Sequence, residues 1–240
     1  MEILSTEEKF KNIEHNLKVI RDRISAAAAS VGRSPEEITL MAVTKTVDPL
    51  FINHAIECGV DLIGENKVQE FLTKKPFLHM ENCRAHLIGH LQTNKVRHIV
   101  GEVSVIQSVD SLKLATEISK RSLAAGLVTE CLVEVNIGGE ENKTGLEFSQ
   151  TEELLEKMAS LEGIKVRGLM TVPPICEKEE ELSQYFSKMH ALFIDMKSKK
   201  LDNIDMTVLS MGMSGDYEAA VRHGSNLVRI GSAIFGPRIY

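Results

Sequence analysis

Eight short apolar runs, each followed by a stretch of helical character, organise this chain of 240 residues. They fall at 38–43, 60–63, 85–88, 103–109, 132–135, 166–170, 206–209 and 227–230. Their central segments are continuous rather than alternating, the pattern of strands buried on both faces. Helix-like segments lie between them at 49–57, 111–125, 151–161, 179–199 and 216–223. Eight strands interleaved with helices in a chain of this length fit a (β/α)8 TIM barrel near its usual minimum size. A doubly wound open sheet is the alternative, but eight parallel strands are many for one. Before the first run, Ile13, Leu17, Ile20, Ile24 and Ala28 recur at helical spacing over 6–29. Ser5 with Glu8 forms a capping box at its start, and Gly32 closes it. The expectation is one domain over 1–240, a (β/α)8 barrel with an additional N-terminal helix.

Composition narrows the class. Hydrophobic residues make up 43% and charged residues 26%, so the chain can bury an ordinary core. Tryptophan is absent, so Leu, Ile, Val, Met and Ala must build that core. A net charge of −6 with no basic stripe speaks against nucleic acid as partner. Lys197, Lys199 and Lys200 read as the solvated end of a helix. Cys58, Cys83, Cys131 and Cys176 lack the close spacing of zinc or redox motifs and read as buried thiols. The eight histidines show no ligand spacing with carboxylates or cysteines, so no metal is expected. The polar, acidic start is no signal peptide, and no apolar run reaches membrane length. A cytoplasmic protein without a membrane partner is the expectation, and a monomer is compatible with the composition.

In a barrel the site lies at the C-terminal ends of the strands. Polar and glycine residues gather there, whereas the strand interiors read as almost wholly apolar. Two glycine-and-serine turns follow the last two runs: Met211-Gly212-Met213-Ser214-Gly215-Asp216 and Gly231-Ser232-Ala233. Free backbone N–H groups and hydroxyls in such turns bind phosphate, which these barrels often hold after strands seven and eight. Ser214 reads equally as a helix N-cap. Lys45 ends the first run, where a partly desolvated amine can form a Schiff base with an aldehyde or simply reach solvent. Arg229 lies two residues before Gly231 and shares its inward face. It either meets a ligand or pairs internally, for example with Glu134. Asn66 is a ligand donor or an N-cap, and His90 an acid–base group or a structural histidine.

These motifs together resemble the YggS/PROSC family of pyridoxal-phosphate-binding homeostasis proteins. The segments that carry the resemblance are Ala42-Val43-Thr44-Lys45-Thr46, Ile63-Gly64-Glu65-Asn66-Lys67-Val68-Gln69-Glu70 and the run from His86 to Lys95. Gly168-Leu169-Met170-Thr171, the run from Leu209 to Asp216 and the run from Arg229 to Gly236 complete it. The resemblance implies a barrel like the N-terminal domain of alanine racemase, with pyridoxal phosphate (PLP) held as a Schiff base on Lys45. It places Ser214, Gly231 and Ser232 at the phosphate with Met213 beside them, Arg229 at the pyridine nitrogen and Asn66 at the ring. Lys143 matches a loop lysine implicated in secondary or transfer binding. Three positions depart from the pattern: Thr44 where many members have Ser, Ala85 where many have Trp, and an end at Tyr240, four residues past Gly236.

An arginine cannot accept a proton, so at the pyridine nitrogen it keeps the ring neutral and a poor electron sink. Alanine racemase shares that device but adds a catalytic tyrosine from a second domain, and Tyr185, Tyr217 and Tyr240 offer no obvious equivalent. The expected function is a PLP carrier and regulator that exchanges the cofactor with apo-enzymes. A PLP-dependent racemase or lyase is the alternative, and a phosphosugar barrel enzyme a third reading.

Overall fold

The computed structural model describes residues 5–140, 143–176 and 178–237. Tyr240 lies outside the described residues. Eight strands form the centre: β1 Thr39–Val43, β2 Leu62–Glu65, β3 Arg84–Leu87, β4 Val105–Val109, β5 Thr129–Asn136, β6 Ile164–Thr171, β7 Ile204–Ser210 and β8 Leu227–Ile230. Each pairs in parallel with the next, and β8 pairs back onto β1 with Ile230 opposite Ala42. The ring is therefore closed, and the TIM barrel read from the sequence is correct. A two-residue strand, Leu146–Glu147, adds to the end of β5.

The helices are α1 Thr6–Ala29, α2 Pro49–Glu57, α3 Val68–Lys74, α4 Leu112–Ala124, α5 Thr151–Met158, α6 Glu179–Ser198, α7 Tyr217–Arg222 and α8 Ser232–Phe235. After β3 the link is a 3-10 turn, Thr93–His98. The predicted capping box of α1 is present, with the Glu8 N–H on Ser5 Oγ and the Ser5 N–H on Glu8 Oε2. Because α8 is a single turn, it cannot cover the barrel wall alone. The preceding helix α1 packs across α7, α8 and α2 instead. Asn16 Nδ2 donates to the Ile234 carbonyl at 3.0 Å and fixes that docking. The buried stripe Ile13, Leu17, Ile20, Ile24, Ala27 and Ala28 faces the barrel. Each fully buried aliphatic side chain contributes about 1.5–3 kcal/mol.

The barrel interior is layered. Val105, Leu132, Met170, Val208, Met41, Leu62 and Leu227 form small apolar clusters inside the ring. Two residues further along the same strand faces stand Gln107, Glu134, Ser210 and Arg229, all buried. His86 on β3 is buried with them. The expectation of almost wholly apolar strand interiors is thus corrected. The layer toward the C-terminal ends is polar; spacing from Gly231 marks Arg229 as inward, but His86 and Gln107 have no glycine turn two residues on to fix their face. Gly168 permits the ring to close. Its φ is +154°, it sits at a register shift between β6 and β7, and a Cβ there would lie 1.8 Å from the Val208 carbonyl oxygen.

Candidate functional site

The first strand delivers Lys45, and its flanks are braced. Thr44 is fully buried and its hydroxyl donates to Glu65 Oε1 at 2.8 Å. Lys74 of α3 donates to the same oxygen at 2.9 Å, to the Thr44 carbonyl at 2.8 Å and to Glu70 Oε1 at 2.5 Å. Glu70 also accepts the Thr46 N–H. Thr46 holds φ at +63°, a left-handed conformation that costs a β-branched residue about 1–3 kcal/mol. The Lys74 cluster holds that turn, so the half-buried Lys45 leaves the barrel wall from a fixed backbone. Burial pushes the Glu65 carboxyl above its ordinary range, against the opposing hydrogen bonds of Lys74 and Thr44. Thr44 therefore has a definite task, one that a serine hydroxyl shares.

The last two strands bring the two glycine-serine turns together. The Arg229 N–H donates to the Gly212 carbonyl at 2.9 Å, stitching β8 to the turn after β7. Gly212 takes φ +96°, which favours glycine, and a Cβ there would meet Ala220 at 2.6 Å. The Met213 N–H donates to Asp216 Oδ1 and closes the turn. Ser214 does not cap α7, as one reading had it, because Asp216 occupies that N-cap position. Instead the Ser214 hydroxyl crosses to the second turn and accepts the N–H groups of Gly231 and Ala233, each at 3.3 Å. An oxygen is therefore already held by converging backbone donors. Val43 of β1 lies beside this cradle: its Cβ and carbonyl oxygen would each be 3.3 Å from a Cβ on Gly231. Ser232 opens α8, and Met213 is partly exposed at the rim.

Between cradle and core, Arg229 anchors a chain of hydrogen bonds. Nη1 donates to Ser210 Oγ at 2.6 Å and Nη2 to the Thr171 carbonyl at 2.8 Å. The alternative of an internal salt bridge to Glu134 is not what the side chain does; Glu134 Oε1 accepts from Thr144 at 2.7 Å. Burial pushes the guanidinium down to about 10, with Asp216 and Glu134 opposing, so it stays charged at neutral pH. An arginine can only donate, and this sets the polarity of everything downstream. Ser210 must pass its own proton to Gln107 Oε1, 2.7 Å away. The Gln107 amide nitrogen then faces His86 Nδ1 at 2.8 Å and donates to it. His86 is consequently neutral with its proton on Nε2, and burial depresses it to about 3. Neither His86 nor Gln107 stood out in the sequence. The available signal was one amide and one imidazole inside apolar strands.

Asn66 follows β2, but Lys67 is the N-cap of α3, so the capping alternative falls. Asn66 Oδ1, His86 Nε2 and Glu134 Oε2 are buried atoms with no hydrogen-bond partner among the described residues. Glu65 Oε2 and Ser108 Oγ are buried in the same unmatched way, and leaving such an atom unmatched costs about 1–3 kcal/mol. Glu134 and Asp216 are both raised by burial above the usual carboxylate range. Lys143 sits apart in the loop after β5, paired with Glu140 and donating to the Pro173 carbonyl at 3.3 Å. His90 is exposed, its Nδ1 3.7 Å from Asp110. Tyr185 lies on α6, and Tyr217 is buried at the start of α7.

A half-buried lysine just past the end of β1, two glycine-serine turns joined through Ser214 after β7 and β8, and a buried arginine on β8 thus gather at one end of a (β/α)8 barrel. The profile of the alanine racemase N-terminal domain matches residues 9–238. The pyridoxal phosphate homeostasis protein of Aquifex aeolicus is 41% identical over 229 residues, which cover 95% of this chain and 100% of that protein. The chain therefore belongs to the alanine racemase N-terminal domain family and, within it, to the pyridoxal phosphate homeostasis proteins. A crystal structure of an unknown protein from Bifidobacterium adolescentis superposes with a TM-score of 0.92 at 35% identity, covering 98% of each chain. PipY of Synechococcus elongatus PCC7942, solved with PLP bound, superposes with a TM-score of 0.82 at 27% identity, covering 93% of this chain and 100% of that one.

Proposed function

We propose that this chain binds PLP reversibly and serves intracellular PLP homeostasis as a carrier and regulator. The observation that carries the reading is the Ser214 oxygen held between the N–H groups of Gly231 and Ala233, beside the end of β1. A phosphate oxygen finds the same donors there, with Ser214, Gly231 and Ser232 as its ligands and Met213 at its edge. Lys45, one residue past the buried Thr44 that follows β1, is then the amine for the cofactor's aldehyde. Arg229 meets the ring nitrogen as a donor, and Asn66 Oδ1 finds a partner at the ring. When bound, PLP supplies a reactive aldehyde and an electron-withdrawing ring. Arg229 leaves that ring nitrogen unprotonated, which favours holding the cofactor over demanding carbanion chemistry.

Finer parts of this reading are that Lys143 serves as a transfer point, that PLP-dependent apo-enzymes receive the cofactor in the cytoplasm, and that the working unit is a monomer. Among the described residues no helix is long and apolar enough to cross a membrane. The direct test is the visible absorbance of purified protein after addition of PLP, followed by borohydride reduction and peptide mapping. The label belongs on Lys45, and Lys45→Ala abolishes it. Equal labelling of the variant, or a label on another lysine, overturns the assignment.

A further inference from the structure

Outside the barrel, where α1 packs on α2, three different metal-binding atoms converge. His54 and Cys58 are four residues apart at the end of α2 and share a face. Glu14 of α1 meets them. Its Oε1 lies 3.0 Å from His54 Nε2, and Cys58 Sγ lies 3.8 Å from that same nitrogen. All three ligand atoms fall within 4.8 Å of one another. With ordinary zinc bond lengths, a tetrahedral ion sets N···O at about 3.3 Å and S···N at about 3.6 Å. Two of the observed separations lie within about 0.3 Å of those values, and the third, sulfur to carboxylate oxygen, is under 4.8 Å, so side-chain adjustment alone brings the three atoms around an ion.

The imidazole is also oriented as a ligand. The Phe10 ring stacks on it with centroids 4.1 Å apart and planes 18° from parallel. Its other nitrogen, Nδ1, faces Glu57 Oε2 at 3.9 Å. A carboxylate behind a histidine is the usual partner of a metal-bound imidazole, fixing its tautomer and raising its basicity. Arg21 fastens the carbonyls of Cys58 and Gly59, at 3.0 and 2.8 Å, and so holds the end of α2 against α1.

We propose that Glu14, His54 and Cys58 form a three-ligand site for a borderline divalent cation of the zinc class, which ties α1 to the barrel. One nitrogen, one sulfur and one oxygen suit that class and not magnesium or calcium, which take oxygen ligands. The expectation that no histidine stands at ligand spacing from a cysteine or carboxylate is corrected here: the i, i+4 pair was present, and folding adds Glu14. On binding, the thiol loses its proton to solvent and the thiolate sulfur bonds the metal. The proton that His54 Nε2 shares with Glu14 is lost to solvent while Nδ1 takes one up, so the imidazole binds through Nε2 as its Nδ1–H tautomer, the carboxylate binds through Oε1, and water completes the tetrahedron.

The test is a titration of purified protein with Cd2+, read by the ultraviolet thiolate-to-cadmium band. One equivalent saturates it. Cys58→Ser abolishes the band, Cys176→Ser leaves it, and His54→Ala or Glu14→Gln weakens binding at least tenfold. A second readout needs no variant: one equivalent of Zn2+ protects Cys58, and not Cys176, from alkylation mapped by mass spectrometry. A band that survives Cys58→Ser, affinities unmoved by His54→Ala and Glu14→Gln, or alkylation of Cys58 indifferent to zinc each overturns the site. None of these readouts involves PLP, so they stand or fall apart from the cofactor assignment.

Discussion

Lowering the pH from about 7.5 to 5 destabilises this protein by about 2 kcal/mol through His86 alone. The histidine is 5% exposed, and its Nδ1 is an acceptor because Arg229 fixes the donor direction of the chain through Ser210 and Gln107. Protonating Nδ1 would place two donors face to face in the core. The folded group therefore titrates near 3, whereas the unfolded one titrates near 6.5. Between those values the unfolded chain binds a proton that the fold does not, so stability falls as the pH drops through that window. At pH 5 the linkage is RT ln(1 + 10^1.5), about 2 kcal/mol, against under about 0.1 kcal/mol at pH 7.5. Other groups titrate too: burial depresses His190 and His223 and raises Glu65, Glu134 and Asp216. The assay is therefore a difference of differences. Urea unfolding of wild type and His86→Gln at both pH values isolates the histidine, because the glutamine keeps an acceptor for Gln107 and cannot titrate. The variant should lose about 2 kcal/mol less than wild type. Should both proteins lose the same amount, His86 titrates normally in the fold, and the directed chain from Arg229 is refuted. A two-dimensional NMR titration of the wild-type imidazole measures the same shift without a variant.

Lys74→Met leaves Glu65, 1% exposed, without its cation, and should cost about 3–5 kcal/mol in urea unfolding; a loss below about 1 kcal/mol would show that the cluster under Lys45 is not braced this way. Gly168→Ala should cost more than about 3 kcal/mol, since its Cβ would lie 1.8 Å from the Val208 carbonyl oxygen; a Tm equal to wild type would sink that argument. Ser214→Ala should leave stability within about 1 kcal/mol, because its two hydrogen bonds are long and partly exposed. The same change should weaken PLP binding about tenfold, measured by equilibrium absorbance, the loss of one good polar contact. Unchanged affinity would move the phosphate away from the cradle.

The barrel was legible before the structure because its signal is local. Eight continuous apolar runs with helices between them admit few arrangements, since parallel strands need crossovers and both sheet faces must be covered. The rim followed from the same logic: once strand ends are known, Lys45, Asn66, Ser214, Gly231 and Ser232 fall at the mouth without further information, and Arg229 two residues before Gly231 falls on the inward face. Helix α1 was visible from its stripe, and α2 occupies the segment 49–57 read as helix-like, with Asp48 found as its N-cap. One-turn α8 was read only as a turn, because four residues carry no periodicity.

What the sequence determined by itself is the class of fold, the end of the barrel at which polar and glycine residues gather, and the residue types found there. Tertiary structure decided how they are joined. Ser214 reads as a cap until β8 brings Gly231 and Ala233 to its hydroxyl. Glu134 reads as the partner of Arg229 until Ser210 and Thr171 prove closer. His86 and Gln107 are marked only as single polar residues inside apolar strands, Lys74 is not marked at all, and Glu14 lies 40 positions from His54 in the chain. The physical reason is common to them. Periodicity records which face a residue shows to its own element, but a hydrogen bond or ligand set is made between elements, and its partners are chosen by strand register and helix docking.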